Sequence, residues 1–413
     1  MHNIIRLLTV VFALVLAQSA MASYYETLPK NVRMMALGWV NTGTIKSSFG
    51  TNRDQFDYFI RQDLNAGSVA DAHPALRAYF DELKRIDPAA YDAFSFGEYE
   101  GSGEANVDVK GLGFAYGVTN HLTLFTIVPL WDAQVRMNIQ RTKGNNYAEV
   151  QQILSKHGNT NDTAFLMSQI TANFPDANGG LLQSIIMNNF GYEPIGNWSG
   201  TGFGDVELGT LYRLTDELDM GLAVSGGVVL PTGRIDNPDI LQDVPFGDGQ
   251  FDIYAEAGGG ITLFKGKLDL DTSLRYTYQL PSTKTLRIPE DEDFTLSANK
   301  GDFYEKLGNR ITYMASSTWK WNDWFSTEAR YDFEYQGQAT YESQYTDANR
   351  ILGINSDFET HMLGLGANLS TVTLYKKGIF AAPGFIDFKA KTMVNGRNTP
   401  KYSRYEFQIR LYF

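Results

Sequence analysis

The chain has 413 residues, a formal net charge of −12, 13% aromatic residues, 39 glycines and no cysteine. An acidic chain without a basic stripe is not a nucleic-acid binder. The lack of cysteine excludes disulfides and an N-terminal lipid-modified Cys.

Residues 1–22 read as a secretory leader. Arg6 lies before the apolar run Leu7–Ala17, and Ala20-Met21-Ala22 is a small-x-small cleavage pattern that places the mature start at Ser23. Loss of Arg6 with the leader takes the net charge from −12 to −13. No later stretch approaches the ~18 consecutive apolar residues of a membrane helix.

The remainder, 23–413, reads as one domain of period-2 ribbons. The first is about Val32–Lys46 and the second about Ala105–Val118, which turns at Thr119-Asn120-His121 into Leu122–Gln140. Gly202–Leu214 turns at Thr215-Asp216-Glu217 into Leu218–Thr232. Gln250–Phe264 turns at Lys265-Gly266 into Lys267–Pro281, and Asn309–Trp321 turns at Asn322-Asp323 into Trp324–Thr340. Asp357–Leu374, a Lys376-Lys377-Gly378 turn, Ile379–Val394 and Lys401–Phe413 complete about twelve strands. Tight turns alternate with long excursions at 47–101, 141–199, 233–249, 282–308 and 341–356. That asymmetry, with an even strand count, predicts an all-β, antiparallel up-and-down transmembrane barrel in a bacterial outer membrane.

Parity sets the faces. Phe325, Thr327, Ala329, Tyr331, Phe333 and Tyr335 oppose Glu328, Arg330, Asp332 and Glu334. A lipid-facing Arg or Lys at the midplane costs ~2–4 kcal/mol, so the charged parity is expected inside. The candidate lumen residues are then Asp205, Glu207 and Arg213; Asp252 and Glu256; Asp269, Asp271 and Arg275; Arg310; Glu328, Arg330, Asp332 and Glu334; Asp387 and Lys389; and Arg404, Glu406 and Arg410. They fit either a charged constriction that selects a permeant or a network of ion pairs filling a narrow barrel. Trp319, Trp321 and Trp324 flank one tight turn, as a periplasmic aromatic girdle would. Glycines at 111–117 and 364–368 predict bulges or bends.

Two long excursions carry helical patterns. Ala75, Leu76, Tyr79, Phe80, Leu83 and Ile86 form one apolar set between Pro74 and Pro88. Val150, Ile153 and Leu154 form a second, Phe165, Leu166 and Ile170 a third, and Leu181, Leu182, Ile185 and Ile186 a fourth. Such faces need a partner, either one another or an apolar ligand.

No catalytic constellation emerges. The histidines are His2, His73, His121, His157 and His361, and no G-x-S-x-G or H-E-x-x-H occurs. His361 with Glu359 reads as a paired lumen couple, and the glycines of Gly200-Thr201-Gly202-Phe203-Gly204 read as a strand entry. A barrel enzyme of lipase type is the least supported alternative, and no cofactor or metal is expected.

The stretch Tyr116-Gly117-Val118-Thr119-Asn120-His121-Leu122-Thr123-Leu124, followed by Val128-Pro129-Leu130, resembles outer-membrane proteins of the phenol meta-degradation pathway family. So do Gly202–Gly209 with Tyr212-Arg213-Leu214, and Val229-Leu230-Pro231-Thr232-Gly233. The resemblance implies a single barrel that passes aromatic or other hydrophobic compounds, and it carries over no binding residue. The alternative is a structural or surface-interaction barrel with a filled lumen. Expected partners are outer-membrane lipid, lipopolysaccharide, a small hydrophobic solute and the barrel-assembly machinery, whose signal the terminal Phe413 resembles.

Overall fold

The computed structural model describes residues 25–413 except 73, 157–160, 174–178, 216, 218 and 293–295, with backbone alone at some helical positions. The leader reading and His2, His73, His157, Asp216 and Asp293 lie outside the described residues. So do the side chains of Ala75, Leu76, Ile170, Leu181, Leu182 and Ile185. The chain divides into two compact units. Residues 58–103 and 136–197 form one, and 104–135 and 198–413 belong to the other with the N-terminal segment up to 57.

The second unit is the barrel. Its wall strands are β1 (Arg33–Asn41), β2 (Ser95–Gly117), β3 (Leu122–Lys143), β4 (Val206–Arg213), β5 (Met220–Leu230) and β6 (Asp252–Leu263). They continue as β7 (Leu268–Gln279), β8 (Arg310–Lys320), β9 (Phe325–Gln336), β10 (Phe358–Ser370), β11 (Gly384–Arg397) and β12 (Ser403–Tyr412). The sheet has fourteen strands, and β2 also pairs with β3. That pairing closes a ring and leaves Phe59–Asn65 and Trp198–Phe203 as appended strands, so the ring has twelve. β1 joins β12 from Met34↔Tyr412 to Asn41↔Tyr405.

The period-2 pattern produces this wall because successive side chains point to opposite faces. In β7, Leu270, Leu274, Tyr276 and Tyr278 are exposed, while Asp269, Asp271, Ser273, Arg275 and Gln279 are buried. Trp319, Trp321 and Trp324 are exposed around the β8–β9 turn, as a girdle requires.

Four expectations change. The connection from β10 to β11 is a short helix, Val372–Lys376, rather than a tight turn. The excursions 282–308 and 341–356 are structured: Ser282–Arg287, Lys300–Lys306 and Thr340–Glu342 form a three-stranded sheet, and Thr346–Gly353 is a helix. The register shift in β10 falls between His361 and Met362, ahead of the glycines. Gly364 and Gly366 instead make room for lysine stems, since a Cβ there would lie 2.8 Å from Lys391 Cγ and 3.2 Å from Lys389 Cγ. Finally, the excursion 233–249 is not an exposed loop: Asp243, Val244, Phe246 and Asp248 are all buried.

The first unit is built from Phe59–Asn65, helices Ala66–Ala72, Pro74–Ile86 and Pro88–Ala93, the ends of β2 and β3, and helices Tyr147–Ser155, Asn161–Asn173 and Gly179–Phe190. Asp87 caps the third helix, accepting from the N–H groups of Ala89 and Ala90. Phe80, Leu83, Phe94, Phe96, Val150, Leu154 and Leu166 share one core, with Phe80, Phe94 and Phe96 in edge-to-face contact. The apolar helix faces therefore cover one another. Among the described large apolar side chains of these helices, Phe165 (63%) and Met187 (42%) remain exposed.

Candidate functional site

Inside the barrel the charged parity forms two ion-pair clusters. Arg275 donates Nε–H to Glu256 at 2.9 Å and reaches Glu207 at 3.1 and 3.2 Å. Glu256 is its direct register partner, but Glu207 lies two strands further round. The reach exists because β4 and β5 present glycine there. A Cβ at Gly227 would lie 2.6 Å from the Tyr254 hydroxyl. Tyr254 thus lies flat across the gap, and the Arg275 guanidinium sits 3.9 Å from its ring centre.

The second cluster spans β9 to β12. Lys389 pairs with Glu328 at 2.9 Å, and Arg330 with Asp332 at 2.7 Å. Lys391 bridges Asp332 and Glu406, each at 2.9 Å, and Arg404 also holds Glu406. Asp387 pairs with Arg410 and Asp269 with Lys320. Arg310 meets Glu334 at 3.5 Å and the Gln336 amide oxygen at 3.0 Å. Asp252 and Asp271 are buried on the same parity. Two candidates go elsewhere. Arg213 donates to the Glu217 carbonyl and covers the interior Tyr25 ring at 5.6 Å. Asp205 precedes β4 and holds a loop.

That loop is 231–251, which folds back among buried residues. Asp205 accepts the N–H of Gly233 at 2.8 Å and of Asp248 at 3.2 Å, so one carboxylate ties both ends of the loop. Thr232 reinforces the tie, donating to the Gly204 carbonyl and accepting from Val206 N–H. Within the loop, Arg234 pairs with Asp243 and its carbonyl accepts from Phe246 N–H. Burial, with Asp248 nearby, pushes the Asp205 carboxyl up to about 6. Burial, with Asp243 nearby, pushes Asp236 up to about 7. Phe246 stacks near Trp131 of β3, ring centres 5.9 Å apart, and Arg234 lies over both Phe246 and Trp198.

At the tight-turn end, the segment before β1 occupies the interior. Tyr25 and Leu28 are each 3% exposed. Tyr25 packs on Leu211 and Ala223, over the bare backbone of Gly221. Leu28 N–H donates to Thr123 Oγ1 at 2.8 Å, and Thr27 Oγ1 to the Asn120 carbonyl at 2.7 Å.

His361 is not in the lumen. It stands opposite Phe333, and Glu359 opposite Tyr335, on the outward parity of β9 and β10. There His361 lies between the Tyr331 hydroxyl (2.7 Å) and Glu359 (2.6 Å), and Arg53 neutralises Glu359.

Sequence reasoning passed over Trp131, Trp198, Arg234, Phe246 and Tyr25. The available signal was the alternate glycines at 200, 202 and 204, which follow Trp198 on the same parity and leave that face open to aromatic rings.

A closed antiparallel ring, an apolar exterior, an aromatic girdle and a buried charged interior define an outer-membrane-type β-barrel, whose wall meets lipid. No family model and no curated protein matches the chain. Among solved structures, the crystal structure of the COG4313 outer membrane channel from Pseudomonas putida F1 is similar in fold. It has a TM-score of 0.51 at 14% identity, over 94% of this chain and 98% of that one. Two looser likenesses are the Ralstonia pickettii toluene transporter TbuX (TM-score 0.37, 9% identity, covering 96% and 93%) and the Pseudomonas putida toluene transporter TodX (0.34, 10%, 98% and 94%).

Proposed function

We propose that the protein is an outer-membrane channel passing a small hydrophobic, aromatic solute. The observation that carries this reading is the aromatic lining inside the wall. Trp131, Phe246 and Tyr254 are buried inside the wall, their rings packed against glycine backbone at Gly204, Gly202 and Gly227. The fold it shares with a protein described as an outer membrane channel supports the same reading. Membership of the phenol meta-degradation family is part of the proposal, supported by the strand–turn pattern over residues 113–233. The candidate charged residues form the wall of the path in this reading, and no reaction is assigned to them. The proposal keeps a cleaved leader at 1–22, with lipopolysaccharide and the assembly machinery as partners.

The test is uptake of a radiolabelled monoaromatic alcohol by proteoliposomes carrying the full chain. Entry faster than into protein-free vesicles is expected. Equal rates would remove the channel reading.

One observation favours a second reading, a filled structural barrel: Glu256, Arg275, Glu328, Lys389 and Arg410 are all buried and ion-paired. That reading predicts no uptake, in wild type or after Tyr25→Ala. The channel reading predicts that Tyr25→Ala raises uptake, by clearing the tight-turn end.

A further inference from the structure

We propose that Phe246 holds the place of the solute: its slot is a binding site for a neutral planar ring carrying a hydrogen-bond acceptor at its edge. The inference deepens the channel reading and names its recognition site.

The floor of the slot is glycine backbone with the Trp198 indole lying along it. Along Trp198–Phe203 and the next residue, positions 200, 202 and 204 are all glycine. A Cβ at Gly200 would lie 3.3 Å from Phe246 Cζ, and one at Gly202 would lie 3.3 Å from Phe246 Cδ2. A side chain at Gly202 would press on the Phe246 ring, and Gly200 also makes room for the Trp198 indole, whose Cη2 and Cζ2 would lie 2.7 and 2.8 Å from a Cβ there. The glycines thus keep a flat surface at ring-contact distance, which suits a planar group and not a puckered one.

The wall is Trp131, inclined 19° to Phe246. The roof is the Arg234 guanidinium, 4.9 Å from the Phe246 ring centre, which favours an electron-rich face.

The edge of the slot carries an unmet demand. Trp131 is 4% exposed, and its indole Nε1–H is buried without an acceptor. A buried Trp ordinarily pairs that N–H, and leaving it unpaired costs ~1–3 kcal/mol. The Phe246 ring carries no acceptor, and the residue's carbonyl oxygen makes no hydrogen bond with the indole. A Cβ at Gly204 would run into the indole nitrogen and lie 2.8 Å from its Cδ1 and 3.0 Å from the Phe246 carbonyl oxygen, so the indole N–H edge lies against the Gly204 backbone beside Phe246. A ring bearing a hydroxyl or carbonyl oxygen would satisfy what Phe246 leaves open.

The occupant is carried on a loop segment in which Pro245 precedes Phe246 and Gly247 and Gly249 follow it. Gly233 and Gly247 lie against its carbonyl and its C-terminal side, and Gly249 has φ +70°, a conformation glycine holds without strain.

The test is calorimetric binding to the purified full chain in detergent, using three probes. p-Cresol is planar with an acceptor, toluene is planar without one, and 4-methylcyclohexanol has the acceptor without the plane. p-Cresol is expected to bind about tenfold more tightly than either of the others, the size of one recovered hydrogen bond. Phe246→Ala should tighten p-cresol by a similar factor, because the slot is then vacant. Trp131→Phe, which keeps the ring and removes the N–H, should bring p-cresol down to toluene's affinity.

A p-cresol preference that survives Trp131→Phe would overturn the proposal, as would equal affinities of the three probes for wild type. Trp131→Phe decides the matter alone if Phe246→Ala fails to give the heat-modifiable band of a folded barrel. Lost binding with intact vesicle uptake removes the slot and leaves the channel; intact binding without uptake does the reverse.

Discussion

In the helical unit Phe80, Phe94 and Phe96 are buried, while Arg61 and Arg85 lie in water; in the barrel Arg275, Arg330 and Lys389 are buried, while Leu274, Leu363 and Leu365 face outward. One strand carries both arrangements. Within β2, Phe96 and Tyr99 are buried in the helical unit, and Leu112, Phe114 and Tyr116 are exposed on the barrel. The difference lies in the solvent, not the residues. Against water, apolar area is driven inside at roughly 25 cal/mol per Å². Against lipid there is no such drive, and the wall is set by keeping charges off hydrocarbon.

The largest effects come from breaking each core by its own logic. Arg275→Ala leaves Glu207 and Glu256 buried without their cation, a loss of about 3–5 kcal/mol. Phe94→Ala opens a cavity in the helical unit at a cost of about 3–5 kcal/mol. Urea titrations followed by band-shift (barrel) and by limited proteolysis (helical unit) should show each variant weakening its own unit. A variant that weakens neither would void the comparison.

A smaller effect separates the two surfaces. Leu365→Arg, on a side chain 71% exposed, should destabilise the barrel in bilayers by up to ~2–4 kcal/mol. Phe165→Arg, on one 63% exposed in the helical unit, should stay within ~0.5 kcal/mol. Equal costs would mean that both faces meet the same medium.

The smallest effect is a pH dependence confined to the loop 231–251. Asp205 and Asp236 are raised to about 6 and about 7, so the folded loop holds protons that the unfolded chain releases. The resulting stability is complete below the ordinary carboxyl range and is lost as pH rises through those values. Amide protection factors across the loop should therefore be larger at pH 5 than at pH 8, with no such change in the core of the helical unit. Protection that is level across this range would contradict the burial of these carboxyls.

Much of this was legible in the sequence, because alternation is a local property. Leu268–Gln279 and Phe325–Gln336 declare their faces without reference to any other strand, and twelve such ribbons with unequal connections imply a ring. What was not legible depends on distant partners. Arg275 meets Glu207 because glycines on β4 and β5 clear the way, and nothing near residue 275 announces that. The segment 233–249 reads in the sequence only as a long excursion, and its inward turn shows in the structure through the tie to Asp205. His361 was misplaced for a simpler reason: it shares the parity of Leu363 and Leu365, but its pairing with Glu359 suggested an interior couple.

Tyr25 has a consequence in time. Its contacts are Leu211 and Ala223, on β4 and β5, and its neighbour Leu28 hangs from Thr123 on β3. Translation makes Tyr25 early, yet its seat exists only after strands nearly two hundred residues downstream have been made and paired. The order of synthesis and the order of packing are thus opposed at this point. Until β4 and β5 are in place the segment is a loose strap, and its docking marks completion of the wall around it.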